Sequence, residues 1–272
     1  MKKNSLLLIF NLVLLYESKA QFYVKAGTTF SFASQNELIP SSLGVDSKDP
    51  SVSIYTMEYK DFPLASGLYA NVGFGYKLNK NFSFEMDYNT KLNTKKTFTE
   101  DLSKYYTDKT YSLYWLNKVN GSDAYMTQNH YVSLVGSYIL SFKKVELQFK
   151  LGPNLLISKI ENDRKQKTPN SWLFSLSSVV FDESEVSSIT SGGVQFGFQY
   201  GLEFNYPLTK QLYLNLDLCA FNNSYNYSKV TITKSALNGV DKLSSANTPQ
   251  VSDSKTDFNR VGVNVGIKYF LK

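Results

Sequence analysis

The sequence predicts an all-β fold: an eight-stranded antiparallel transmembrane up-and-down β-barrel. Three observations carry that expectation. Eight runs alternate apolar and polar side chains in steps of two, the period of an extended strand whose two faces meet different surroundings. Short and long connections alternate strictly between these runs, so three short turns fall at one end and four long loops at the other. After the first 20 residues, no apolar run reaches the roughly 18 residues that a membrane-crossing helix needs.

The clearest run lies in residues 193–220. Val194, Phe196, Phe198, Tyr200, Leu202, Phe204 and Tyr206 share one parity, and Gln195, Gly197, Gln199, Gly201, Glu203 and Asn205 share the other. After a turn at residues 207–211 the pattern resumes, with Leu212, Leu214, Leu216 and Leu218 against Tyr213, Asn215, Asp217 and Cys219. Each arm holds roughly 9 to 11 alternating residues, enough for a tilted strand to cross a bilayer.

Taken from the start, residues 1–20 read as a secretory signal peptide: Lys2 and Lys3, a ten-residue apolar core from Leu6 to Leu15, and the small residues Ser18 and Ala20 before a cleavage site. The mature domain is then residues 21–272, with no second domain expected. Cleavage removes three lysines and one glutamate and lowers the net charge from +6 to +4. Lys and Arg are scattered among acids without a basic block, so no nucleic-acid partner is expected. The single cysteine, Cys219, leaves the exported chain without an intrachain disulfide.

The first strand begins at Phe22. Polar residues 34–63, with Pro40 and Pro50, read as a long loop. Runs at residues 67–78 and 82–89 form a tight hairpin through Asn79, Lys80 and Asn81. A second long loop, possible prolongations of the strands included, covers residues 90–128. Strands four and five follow around a Lys143–Lys144 turn, and Pro153 is expected to bend the fifth or end its regular pairing. Residues 159–190 and 222–257 are the remaining long loops, and the eighth strand sets Val261, Val263, Val265 and Ile267 against Gly262, Asn264, Gly266 and Lys268.

Alternation does not by itself say which face points inward, and a soluble lipocalin-like barrel also alternates. Three features favour an apolar exterior. The polar parity is rich in glycine, which suits a narrow interior. It carries Lys25, Lys77, Lys150 and Lys268 together with Glu85, Asp87, Glu146, Glu203 and Asp217, charges that can pair inside a barrel. Tyr76, Tyr206 and Tyr269 sit on the apolar parity near the short turns, as in an interfacial girdle.

The signal peptide, the eight runs and the terminal Val-Gly-Val-Asn-Val-Gly-Ile-Lys-Tyr-Phe-Leu-Lys resemble the outer-membrane β-barrel (porin-like) superfamily, which includes the small OmpA/OmpX-type barrels. The resemblance implies a Gram-negative cell envelope, periplasmic short turns, external long loops, insertion by the barrel assembly machinery, and outer-membrane lipids and lipopolysaccharide as neighbours. Eight strands enclose an interior that side chains fill, so a wide diffusion porin is not expected.

No cofactor site is expected: the sequence lacks a phosphate-cradling glycine loop, a metal-ligand cluster and a dinucleotide fingerprint. His130 is the only histidine; with nearby Ser133 or Asp123 it defines the alternative of a barrel enzyme that modifies lipid A or cleaves peptides. A second alternative is a soluble periplasmic barrel holding an apolar ligand. The main expectation is a non-enzymatic barrel with a structural or surface-binding role. Its long loops carry aromatic clusters, Tyr105, Tyr106, Tyr111, Tyr114 and Trp115, then Trp172 and Phe174. These suit an extracellular protein, a glycan or lipopolysaccharide, or equally the packing of the loops on one another.

Overall fold

The computed structural model describes residues 21–33, 37–45, 55–62, 64–92, 95–107, 114–169, 181–245 and 254–271. The expected signal peptide lies outside these residues. The strands are β1 (Gln21–Ala33), β2 (Glu37–Val45), β3 (Tyr55–Phe62), β4 (Gly67–Lys77), β5 (Phe82–Lys91), β6 (Lys96–Thr107), β7 (Tyr114–Phe142), β8 (Val145–Pro169), β9 (Phe181–Gly192), β10 (Gln195–Pro207), β11 (Leu212–Leu237), β12 (Val240–Asp241), β13 (Ser254–Asp257) and β14 (Arg260–Phe270). No helix among the described residues is long and apolar enough to cross a membrane.

Eight of these strands close a ring. β1 pairs with β4, β4 with β5, β5 with β7, β7 with β8, β8 with β10, β10 with β11, and β11 with β14, which returns to β1. Every pairing is antiparallel, so the ring closes without an open edge, and the ladders pair its backbone donors and acceptors apart from one gap between β7 and β8.

The short turns are built by side chains that substitute for ladder bonds. Asn79 Oδ1 accepts from the backbone N–H groups of Asn81 and Phe82 at 2.8 and 2.9 Å. Thr209 Oγ1 does the same for Gln211 and Leu212 at 3.2 and 3.0 Å. Such local bonds are why Asn and Thr stop strands here. In the two-residue turn between β7 and β8, Lys143 adopts a left-handed φ of 45°.

At the opposite end the expected loops prove to be largely strand. β7, β8 and β11 are 29, 25 and 26 residues long, far beyond what a membrane crossing requires. β9 continues the line of β10, running between β8 and β11 above the ring, with Gly193 and Val194 interrupting the two segments. β6 extends the same surface on the outer side of β7, and β2 with β3 forms a separate hairpin in the first long connection. The sequence allows for prolonged strands only within residues 90–128; elsewhere patterning reads these extensions as loop, because their outer faces are polar and no sustained apolar period marks them.

Pro153 does not end β8. The β7–β8 ladder skips the pairs opposite Gly152 and Pro153 and resumes at Asn154, while Pro153 remains opposite Phe198 on β10. The missing proline N–H accounts for a gap on one side of the strand only.

Burial settles the orientation of the wall. Phe196 is 79 % and Leu151 64 % exposed, whereas Glu203 and Lys268 are fully buried. The soluble barrel with an apolar interior is therefore excluded: the interior is polar and the outside is an apolar band. On β8 the outward side chains Val145, Leu147, Phe149, Leu151, Leu155 and Ile157 give way to Lys159, Glu161, Asp163 and Lys165. At about 3.3 Å per residue the apolar part spans roughly 40 Å of strand, or about 30 Å of height at a 45° tilt, which matches a hydrocarbon core.

Glycines make room for the interior. A Cβ on Gly75 would lie 2.1 Å from the Tyr23 ring, and one on Gly73 would lie 2.3 Å from Asp87 Oδ1 and 2.7 Å from Lys25 Cε. Gly75→Val is therefore expected to abolish the heat-modifiable folded band on detergent refolding, while Val72→Leu on the apolar exterior leaves that band at wild-type yield.

Candidate functional site: a charged lumen beneath an external wall

Strand register brings seven of the nine lumen charges expected from the sequence into one cluster. The Lys150 ammonium lies 2.7 Å from Glu85, 2.9 Å from Glu203, 3.0 Å from Asp217 and 3.6 Å from Asp87. Lys25 pairs with Glu85 and lies 2.9 Å from Asp87 and 3.8 Å from Glu203. Lys268 pairs with Glu203 and reaches Glu85 at 4.0 Å. All seven are buried. Tyr23 donates to Glu85 at 3.0 Å and Asn205 to Glu203 at 2.9 Å, using further lone pairs of the two shared carboxylates.

Lys77 and Glu146, the other two charges, form a separate 2.6 Å pair nearer the short turns, where both are partly solvated. Beside them Phe270 packs edge-on against Tyr213 and tilted against Tyr23, with centroids 5.1 and 5.2 Å away. Moving outward from the cluster, Asn71 donates to Asn89 at 3.1 Å and Asn223 to Asn154 at 2.6 Å. The lumen is thus crossed by bonded side chains at several levels.

Its outer end holds residues that the sequence reading did not select. Arg260, only 1 % exposed, stacks on Tyr69, Tyr131 and Phe221 with its guanidinium carbon 4.0, 4.4 and 3.9 Å from the ring centroids. Above it Tyr225, Tyr227 and Phe258 pack with Leu64 and Ala65. Lys91 and Asn129 both donate to the Leu64 carbonyl, at 2.9 and 2.8 Å. A signal existed: Lys91 continues the inner parity of Glu85 and Asp87, and Arg260 that of Gly262 and Asn264.

His130 faces the other way. It shares the outward parity of Val132 and Leu134, and its Nδ1 lies 2.8 Å from Tyr88 Oη and 3.0 Å from Thr90 Oγ1. Ser133 and Asp123 are buried on the inner side, and Asp123 accepts two bonds from Arg164 at 2.8 and 2.9 Å. The strand separates the histidine from both of its candidate catalytic partners. Cys219 is buried inside and donates to the Gly262 carbonyl at 3.6 Å.

The expected binding aromatics are placed only in part. Tyr111, Trp172 and Phe174 lie outside the described residues; Tyr114 and Trp115 begin β7, paired with Thr107 and Tyr106 of β6. Below them the outer faces of β8, β9 and β11 carry ion pairs between neighbouring strands. Lys165 and Lys234 lie 3.2 and 2.7 Å from Glu185, and Lys167 pairs with Glu183. Lys95 meets Asp163 at 2.7 Å, and this hydrogen bond holds the Asp163 carboxyl below the usual carboxylate range.

A closed ring with an apolar belt and a polar, charged interior defines an integral membrane β-barrel of the outer-membrane type. Among solved structures the chain is similar to a major outer membrane protein of Thermus thermophilus, with 15 % identity, 93 % of this chain and 100 % of that one covered, and a TM-score of 0.39. It is also similar to OprG of Pseudomonas aeruginosa (11 % identity, 93 % and 96 % covered, TM-score 0.38) and to Ail, the attachment invasion locus protein of Yersinia pestis (9 % identity, 93 % and 100 % covered, TM-score 0.33). No family model and no curated protein matches the sequence.

Removing one partner of a buried ion network leaves the others uncompensated, at a cost of about 3–5 kcal/mol. Lys150→Met is expected to lower unfolding free energy in lipid vesicles by that order, measured by urea titration, and Lys77→Met by less than about 1 kcal/mol, since its pair is partly solvated.

Proposed function

We propose that this protein is a non-enzymatic outer-membrane barrel, closed to diffusion, that acts at the cell surface through its external wall. The observation that carries this reading is the length of β7, β8 and β11 beyond the apolar band. A barrel needing only to close in lipid gains nothing from extending these strands into water, where each added residue costs conformational entropy of order 1 kcal/mol. A rigid platform bearing external segments is a common arrangement for binding.

The wall presents mixed charges, and the external segments carry the aromatic residues Tyr111, Tyr114, Trp115 and Trp172. That chemistry suits an extracellular protein or a glycan, with lipopolysaccharide around the base of the wall. Cross-strand ion pairs such as Lys167 with Glu183 would hold the platform in register. Insertion would use the barrel assembly machinery. The opposite orientation of His130 and Ser133 supports a role without catalysis.

The reading is tested with vesicles containing the folded protein, probed on glycan arrays and on immobilised extracellular-matrix proteins. A variant in which residues 98–121 and 168–182 are replaced by short turns keeps the barrel and removes the tips. Retention by wild type and its loss in the shortened, still heat-modifiable variant is the expected result. Equal retention of both would overturn the assignment of function to the wall.

A further inference from the structure

Arg260 is in an unusual state for a buried guanidinium. Its Nη1 donates to Ser31 Oγ, but its Nε and Nη2 have no hydrogen-bond partner, and no carboxylate pairs with it among the described residues. The three aromatic faces around it supply cation–π attraction, and the Tyr131 hydroxyl adds a polar contact, which together offset part of its desolvation but bring no opposite charge. A second buried cation lies close by. Lys91, 8 % exposed, stands opposite Tyr69 in the β4–β5 register, so it and Arg260 contact the same part of the lumen. Its ammonium donates to the Leu64 carbonyl and to Thr127 Oγ1, which leaves one of its three protons over.

Two positive charges without a carboxylate are costly in a low-dielectric interior. The lysine can shed its charge by losing a proton. The guanidinium cannot, because it does not deprotonate in proteins. Water could occupy its spare N–H groups but would not balance its charge. The central cluster, four carboxylates against three ammoniums, carries one surplus negative charge, but its carboxylates are engaged by its own lysines several residues further along the strands and none forms an ion pair with Arg260 among the described residues. A carboxylate ligand or a phosphate is too large for a group enclosed by three rings and 1 % exposed.

We propose that the outer lumen is a binding site for one small monovalent anion, of the halide class, held by Nε and Nη2 of Arg260 and attracted by the ammonium of Lys91. The ion closes the outer end of the lumen by bridging β14 and β5 through the cage of Tyr69, Tyr131 and Phe221. This is a structural site in the barrel and does not depend on what the external wall binds.

The test uses the folded mature protein in detergent at constant ionic strength, with chloride replaced stepwise by gluconate, which is too bulky to enter. Chloride line broadening by NMR and the urea unfolding midpoint are followed together. Wild type is expected to show saturable broadening and a midpoint that falls as chloride is withdrawn. Lys91→Met is expected to weaken the ion's affinity by about tenfold, the effect of losing one charge-assisted bond, and Arg260→Met to abolish both responses. Wild-type values that are the same in chloride and gluconate would overturn the proposal. Should Arg260→Met fail to fold, crystals of the wild-type protein grown in bromide decide the matter: an anomalous peak within hydrogen-bonding reach of Arg260 supports the site, and its absence overturns it.

Discussion

The structure depends on one constraint: in hydrocarbon no backbone N–H or C=O can be left without a partner. Closure of β14 onto β1 removes the last open edge, and the eleven-residue register from Tyr23 opposite Phe270 to Ala33 opposite Arg260 is where the two ends of the chain meet. Once the ring is closed, strand alternation forces one parity into lipid and the other into the lumen. The sequence then resolves into two unlike surfaces. Aliphatic and phenylalanine side chains turn outward, and charges, amides and glycines turn inward.

The seven clustered charges are buried, so each relies on partners carried by the surrounding strands. Lys150 reaches four carboxylates carried on three different strands, β5, β10 and β11. Such a cluster makes closure cooperative, because the central ammonium is satisfied only when β8 stands between its neighbours in the correct register. A slip of one residue would turn every lysine and glutamate into the lipid. The cluster therefore specifies the arrangement as much as it stabilises it. The glycines opposite Tyr23 and Lys25 serve the same end, since a larger residue at either place would collide with the side chains that fill the bore.

Much of this was legible in the sequence, and the reason is physical. Wherever a strand separates lipid from a polar lumen, its side chains must alternate, so residues such as Phe196, Phe198 and Phe204 against Gln199 and Glu203 announce both strand and orientation. The inner parity named Lys25, Glu85, Asp87, Lys150, Glu203, Asp217 and Lys268 as partners in advance. Above the membrane the same logic fails. At Lys159, Glu161 and Asp163 both faces are solvated, the period disappears, and the continuation of β8 to Pro169 reads as loop. Arg260 and Lys91 were passed over for a related reason: each stands at the border where the outer face loses its apolar character, so the parity that marks an inner position fades there. The pairing of Arg164 with Asp123 depends on strand register in that extension, which local patterning does not supply.

Orientation of the wall is the claim on which the rest stands, and spin-label accessibility tests it most directly. Single labels placed at Phe196, Phe198, Leu202 and Phe204 of β10, and at Lys165 on the external part of β8, would be measured in lipid vesicles with dissolved oxygen and a water-soluble nickel complex as relaxants. The β10 positions should be oxygen-accessible and shielded from nickel, with Lys165 showing the reverse. Nickel accessibility along β10, or shielding of those positions from both relaxants, would contradict a lipid-facing apolar belt.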